Sequence, residues 1–171
     1  MKNSDILTII IPLINAHSCA NLLTSLSQQT NSSFALIIIG NTTEIDKTLL
    51  IHYRDCKILP SSASTMSALL AEGLGYSYTA YSTSLLPIFY IASTFVAKTL
   101  EAIASSKNNF DTLMPDHAVI ENDCSMKYII KNEHLEYRDL ITNFSLFPSL
   151  ISKTRNWQSF LQHFSHTNYY I

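Results

Sequence analysis

Two short runs of apolar residues, Leu7 to Leu13 and Phe34 to Ile39, stand at the front of the chain with a helix-spaced segment between them. The first is rich in β-branched side chains and stops at Asn15-Ala16; the second runs into the turn-like Gly40-Asn41-Thr42-Thr43. Runs this short, apolar at successive positions, predict strands buried on both faces. Between them, Ser18 to Gln29 sets Leu22, Leu23 and Leu26 on one helical face, with Ser18 as candidate N-cap and Asn31-Ser32-Ser33 as the stop. Strand, helix, strand is the βαβ unit of a parallel sheet.

The pattern continues with a predicted helix over Glu44 to Tyr53, a strand at Lys57-Ile58-Leu59 before Pro60, and a helix over Ser64 to Gly73 carrying Met66, Leu69 and Leu70. Tyr76 to Tyr81 reads as extended, because Tyr76, Tyr78 and Ala80 alternate with Ser77, Thr79 and Tyr81. Phe89 to Ser105 reads as a longer helix opening after Pro87. The first hundred residues therefore predict a doubly wound α/β layer. Beyond Phe110 the short strand candidates are Thr112-Leu113-Met114, Ala118-Val119-Ile120 and Lys127 to Ile130, followed by an extended Asn143 to Ser152 and a helix over Trp157 to Phe164. No repeat, linker or low-complexity tract breaks the chain, so 1–171 reads as one domain.

Length agrees, since 171 residues fill one core. At 47% hydrophobic and 14% charged, with three glycines, the chain is neither disordered nor built around a Gly-rich phosphate loop. A net charge of -2 gives no basic field for nucleic acid. Gly73 to Ala97 carries no charge at all, yet its Ser, Thr and Tyr make it a poor membrane helix, and no transmembrane segment is expected. Met1-Lys2 and the apolar run to Ile14, with Cys19 beyond, have the shape of a lipoprotein leader; Asp5 and Pro12 interrupt it, and a buried strand explains the run. Cys19, Cys56 and Cys124 form no Cys-x-x-Cys pair and read as free thiols in a reducing compartment.

Taken in order, Ile9-Ile10-Ile11-Pro12-Leu13-Ile14-Asn15-Ala16, Leu23-x-x-Leu26, Gln29-Thr30 and Phe34 to Ile39 resemble the opening of family-2 glycosyltransferases. Gly75-Tyr76, Pro87 and Leu100-Glu101-Ala102-Ile103 extend the resemblance to about residue 105. It implies a three-layer α/β/α GT-A-like (nucleotide-diphospho-sugar transferase-like) domain with a mostly parallel sheet. Residues 1–105 would form the nucleotide-binding-like half and 106–171 the acceptor-side half. It further implies a nucleotide-sugar donor, a glycan or lipid-linked acceptor, inversion at the anomeric carbon, and a place in polysaccharide or glycolipid assembly in the cytoplasm or at the inner face of the membrane. Pro12, Ile14, Asn41, Ser82 and Ser84 take the positions around the donor, and all three glycines, Gly40, Gly73 and Gly75, fall about that cleft.

The departures fall on the chemistry. Gly40-Asn41-Thr42-Thr43 stands where the family has Asp-Asp-Gly-Ser, so Asn41 offers an amide oxygen to the base in place of a carboxylate. Ile14 replaces an aromatic. Ser82-Thr83-Ser84 takes the place of the Asp-x-Asp motif that holds Mn²⁺ or Mg²⁺, and no Asp or Glu occurs between Glu72 and Glu101. The family's catalytic base would follow a segment like Phe147 to Trp157, but Leu161 to Ile171 holds no carboxylate, so the catalytic residue stays unassigned. No cofactor is evident, and Mn²⁺ or Mg²⁺ with a nucleotide sugar is expected only if the family activity is retained. The alternative is a catalytically inactive GT-A scaffold that binds a glycan or a partner, such as another glycosyltransferase or a second copy of the chain.

Other constellations carry less. Asp116-His117 and Glu121-x-Asp123 read as solvated loop groups, Glu44 and Asp46 as helix-start charges, and His163-x-x-His166 as a terminal pair without a third ligand. Asn31, Asn41 and Asn143 begin formal glycosylation sequons, which matter only in a secreted chain. No Gly-x-Ser-x-Gly elbow points to a serine hydrolase. Tyr76, Tyr78, Tyr81 and Tyr90 suit either sheet packing or a sugar groove.

Overall fold

The computed structural model describes residues 6–14, 19–106, 112–113, 117–120, 126–129 and 150–159, with the backbone alone over 117–120 and 126–129. The two apolar runs form β1 (Leu7–Leu13) and β2 (Phe34–Gly40), every residue of which is buried. They pair in parallel from Leu7 opposite Phe34 to Leu13 opposite Gly40. β3 (Cys56–Pro60) adds to β2 in parallel, and β4 (Tyr81–Ser84) adds to the other side of β1. β8 (Ile151–Lys153) runs antiparallel between β4 and β5 (Thr112–Leu113) and completes a six-stranded sheet in the order β3-β2-β1-β4-β8-β5. β6 (His117–Ile120) and β7 (Met126–Ile129) form a separate antiparallel pair.

Because β1 and β2 are apolar at odd and even positions alike, they need cover on both faces. One face carries Ile9, Ile11, Leu36 and Ile38 against Leu22, Leu23 and Leu26 of α1 (Ala20–Ser27) and Val96 and Ile103 of α3 (Phe95–Ser105). The other carries Ile10, Ile37 and Ile39 against Leu69, Leu70 and Leu74 of α2 (Met66–Gly75), with Trp157 beside them. The result is a helix, sheet, helix sandwich. Gly73 allows α2 to approach closely: a Cβ there would lie 3.0 Å from Ile10 Cγ2. No described helix is long and apolar enough to cross a membrane.

Several expectations shift. Glu44 to Tyr53 is a 3₁₀ helix only over Lys47–His52, none of it buried, with Asp46 as its N-cap accepting from Thr48 N at 2.9 Å. That contact and the Thr48 hydroxyl hold the Asp46 carboxyl below its ordinary value. Tyr76 to Ala80 is not the strand; pairing begins at Tyr81, where the Tyr76–Tyr81 prediction ends. Tyr76 and Tyr78 are instead exposed at the amino end of the sheet, Tyr78 donating to Asp55 and sitting under Lys57, whose Nζ is 5.2 Å from the ring centroid. They belong to neither the core nor the crevice, and Gly75, which closes α2 at that same end, is likewise remote from it. α1 begins after Cys19, not Ser18, and α3 begins six residues later than Phe89. Residues 154–159 are helical, starting ahead of Trp157.

Tyr53 lies between α1 and β3, its hydroxyl donating to Leu23 O and its ring edge-on to Phe34 at 6.1 Å. Burial pushes the Tyr53 phenol up, and pushes the Cys56 thiol from 9.0 to about 11; the Cys19 thiol is raised by the same cause. Both described thiols are free and stay protonated at neutral pH. Above about pH 9 the unfolded chain releases protons that the folded chain retains, so stability present below pH 9 declines as the pH approaches 11. Urea midpoints between pH 8 and 11 are expected to fall, with a slope below about 1.4 kcal/mol per pH unit per group. Cys56→Ala is expected to flatten part of that slope; a constant midpoint to pH 11 contradicts the assignment.

Candidate functional site

In an open parallel sheet, ligands bind beyond the carboxyl ends of the strands where the strand order reverses. Here the chain leaves β1 toward β2 and β3, then returns to place β4 on the opposite side of β1. The crevice is therefore bounded by the ends of β1, β2 and β4. Backbone hydrogen bonds define it closely. Asn41 N donates to Leu13 O at 2.9 Å on the β2 side, and Leu85 N donates to Ile10 O at 2.9 Å on the β4 side. Carbonyls alternate along a strand, so Pro12 faces the β4 side, past the last ladder bond. Its missing N–H ends the β1–β4 ladder after the Leu85 bond.

Pro12, Ile14 and Asn41 all lie at this end of β1 and β2. Pro12 is buried in β1, Ile14 lies just past the strand and is 36% exposed, and Asn41 is exposed at the end of β2. Gly40 sets the turn: its φ is +118°, and a Cβ would fall 2.2 Å from Leu13 O. The Asn41 Oδ1 accepts from the Thr43 hydroxyl at 2.7 Å, and Ser61 N donates to Gly40 O at 3.2 Å. Thus the end of β2 is held against both neighbouring strands.

Ser82 and Ser84 are placed differently. β4 stops at Ser84 opposite Ile10, three residues short of the end of β1, so both serines lie inside the sheet. Ser82 is fully buried and its hydroxyl is 2.7 Å from that of Thr154 and 3.1 Å from that of Ser77. Ser77 donates to Thr8 at 3.0 Å, Thr8 and Thr79 are 2.6 Å apart, and Thr79 donates to Tyr81 O at 2.7 Å. One set of directions satisfies the series: Thr154 to Ser82, Ser77, Thr8, Thr79 and the carbonyl, each hydroxyl donating once. Trp157 Nε1 donates to Ser82 O at 3.2 Å and closes the region. Ser84 lines a cavity of about 10 Å³ with Ile10, Leu70, Leu74 and Trp157, at the lower limit for one water. Thr83 faces the other way, its hydroxyl buried without a partner among the described residues.

Immediately past β4 come Leu85, Leu86, Pro87 and Ile88, of which Ile88 is 78% exposed. An arc over Leu86–Tyr90, with Phe89 N donating to Leu86 O, presents Ile88 and Tyr90 to solvent and forms the β4-side rim. Of its residues the sequence pattern marked Tyr90, as suited to packing or a sugar groove, and Pro87, but not Ile88. Asp116, Glu121, Asp123, Cys124, Asn143, His163 and His166 lie outside the described residues, and His117 is described only as a backbone position in β6.

No family model matches the sequence, and neither does any curated protein. Solved structures do. S. aureus TarS 1–349 in complex with UDP aligns with a TM-score of 0.65 over 90% of this chain and 48% of that one, at 16% identity. The same protein in complex with UDP-GlcNAc gives a TM-score of 0.67 over 90% and 46%, at 14% identity. The fold is GT-A-like. It carries the expected sandwich and mostly parallel sheet, and the chain spans about half the length of TarS 1–349.

The GT-A fold implies a divalent cation held at the end of the fourth strand, and the donor set can be tested against that. Ser82 Oγ is committed to Ser77 and Thr154, Thr83 points away, and the residues past the strand are apolar. Among the described residues no group of three or more His, Cys, Asp or Glu side chains comes together. Neutral, buried hydroxyls and aliphatic side chains do not fit Mn²⁺ or Mg²⁺, which take charged and carbonyl oxygens.

Proposed function

We propose that this chain is a GT-A domain that takes a nucleotide sugar at the β1–β2–β4 crevice without a divalent cation, and serves as a binding scaffold in glycan assembly. The observation that carries this reading is the end of β4, where buried hydroxyls followed by Leu85-Leu86-Pro87 stand in place of carboxylates. Solved neighbours of the same fold hold UDP and UDP-GlcNAc, which supports a nucleotide at this end of the sheet. Asn41 and the Thr42-Thr43 turn would meet the polar parts of such a ligand through neutral hydrogen bonds. With neutral hydroxyls and aliphatic side chains at the end of β4 in place of a carboxylate-held cation, affinity for the diphosphate is expected to be weak.

Transfer activity is the second reading, and the UDP-GlcNAc complex on this fold favours it. In that case a partner glycosyltransferase or a second copy of the chain would supply the carboxylates, beside a glycan acceptor. Calorimetric titration with UDP and UDP-GlcNAc, with and without Mn²⁺, separates the two. A dissociation constant in the high micromolar range or weaker, unchanged by Mn²⁺, is the expected result. Metal-dependent binding at low micromolar concentration overturns the scaffold reading, and no binding of either compound removes the nucleotide from it.

A further inference from the structure

The arc Leu86–Tyr90 is anchored at both ends, and the two anchors differ in kind. At its start, Leu85 N is in the sheet ladder with Ile10 O. Beyond it, residues 91–96 carry no helix until Phe95, yet they are tied to α1 and the turn that follows it by a dense set of hydrogen bonds. Ile91 N donates to Ser25 Oγ at 3.4 Å, Thr30 N donates to Ser93 O at 2.8 Å, and the Thr30 hydroxyl adds a bond to the same carbonyl at 3.3 Å. Gln29 stands at the centre. Its Nε2 donates to Ala92 O at 2.8 Å and to Ser25 O at 3.1 Å, while its Oε1 accepts from Val96 N at 2.9 Å.

That last bond matters for α3. Thr94, at the N-cap position, makes no side-chain capping bond, so one of the orphan N–H groups of the first turn is satisfied by Gln29 from the turn after α1. Only an amide does all of this, since two carbonyls require donors and one N–H requires an acceptor. A carboxylate accepts from Val96 but repels Ala92 O; an amine or an apolar side chain loses the cap.

We infer that Gln29 is a positioning residue for the candidate site: by fixing residues 92–96 it sets where the Leu86–Tyr90 arc, and with it Ile88 and Tyr90, borders the crevice. This rests on the reading of the crevice as the ligand site. The arc has five residues between a strand end and this clamp, too few to choose its own path once both ends are fixed.

The test uses the full chain and three variants, Gln29→Ala, Gln29→Glu and Gln29→Asn. Amide hydrogen exchange at Phe89, Ile91 and Val96, whose N–H groups are bonded to Leu86 O, Ser25 Oγ and Gln29 Oε1, is read without ligand, and UDP affinity is read at a temperature where each variant is fully folded. Gln29→Ala is expected to speed exchange at these amides about tenfold and to weaken UDP binding several-fold. Gln29→Glu, if the alanine variant fails to fold, carries the decisive signature: fast exchange at the arc near pH 7, slowed near pH 4, where the protonated acid regains a donor for Ala92 O, with no such change in the parent chain beyond intrinsic exchange. Arc amides that exchange as in the parent in all three variants, or a Glu variant without pH-dependent recovery, overturn the inference. A parent chain that binds no UDP instead defeats the nucleotide reading, and the exchange data still decide the role of Gln29.

Discussion

Replacing Gly40 by alanine is expected to destabilise the domain by about 3 kcal/mol or more, lowering the melting temperature by on the order of 10 °C. Two costs coincide at that position. The backbone φ of +118° lies where an L side chain is strained, and the added Cβ would sit 2.2 Å from Leu13 O and 2.9 Å from Leu13 C. Neither atom can retreat, because Leu13 is the last residue of a strand paired along its whole length with β2, and its carbonyl also receives Asn41 N. Relief would require the end of β2 to peel from β1, which opens the crevice that Asn41 borders. Gly75→Ala is the matched control. Gly75 is helical and exposed, nothing lies within 4 Å of its Cβ position, and alanine is expected to be neutral or to add about 0.5–1 kcal/mol. Thermal melts of the two variants decide the matter: a Gly40→Ala protein that melts within two degrees of the parent would show the turn to be pliable.

The second large effect concerns the attempt to restore carboxylates. Ser82→Asp places a charge at a site with no solvent exposure, inside a series of hydroxyls whose donors and acceptors are already matched. The carboxylate can accept from Thr154 and Ser77, but Ser77 would then abandon Thr8, and the charge would be buried where the parent holds a neutral hydroxyl. A loss of about 4 kcal/mol or more is expected, read as a collapsed urea midpoint or an insoluble product. Ile88→Asp is expected to change stability by less than about 0.5 kcal/mol, because Ile88 is 78% exposed. If Ser82→Asp instead folds normally and gains Mn²⁺ binding, then Ser82 reaches the crevice and the boundary of β4 is misplaced.

β1 and β2 were legible because each is apolar on both faces, which only a doubly covered parallel strand requires. β4 was not, since Tyr81-Ser82-Thr83-Ser84 has neither an apolar run nor an alternation of apolar with polar; the buried Ser82 hydroxyl is met by those of Ser77 and of Thr154, the latter distant in sequence. The alternation of tyrosines just before it supplied a false strand: Tyr76 and Tyr78 are both exposed, with the Tyr78 ring turned toward Asp55 and Lys57. Reading the strand too early in the chain is also why Ser82 and Ser84 were placed at the crevice, when the residues past the strand are Leu85 to Ile88. The start of α3 was obscured for a similar reason. Phe89 to Thr94 has acceptable helix propensity, but Gln29 and Thr30 hold Ala92 and Ser93 outside the helix by bonds that no local pattern encodes. Pro12, Ile14 and Asn41 lie at the ends of β1 and β2, which the two apolar runs mark.

The hydroxyl series has a consequence for how the chain is made. Ser82 and Thr154 are 72 residues apart, so a ribosome moving at roughly 5–20 residues per second exposes β4 for about 4–14 s before its last partner is synthesised. During that interval β1, β2 and β3 can already be paired, and β4 is a growing sheet's free margin. A margin of serine and threonine remains hydrated in that time, whereas one of valine and isoleucine would offer itself to any neighbouring nascent chain. The polar fourth strand thus protects the half-made protein.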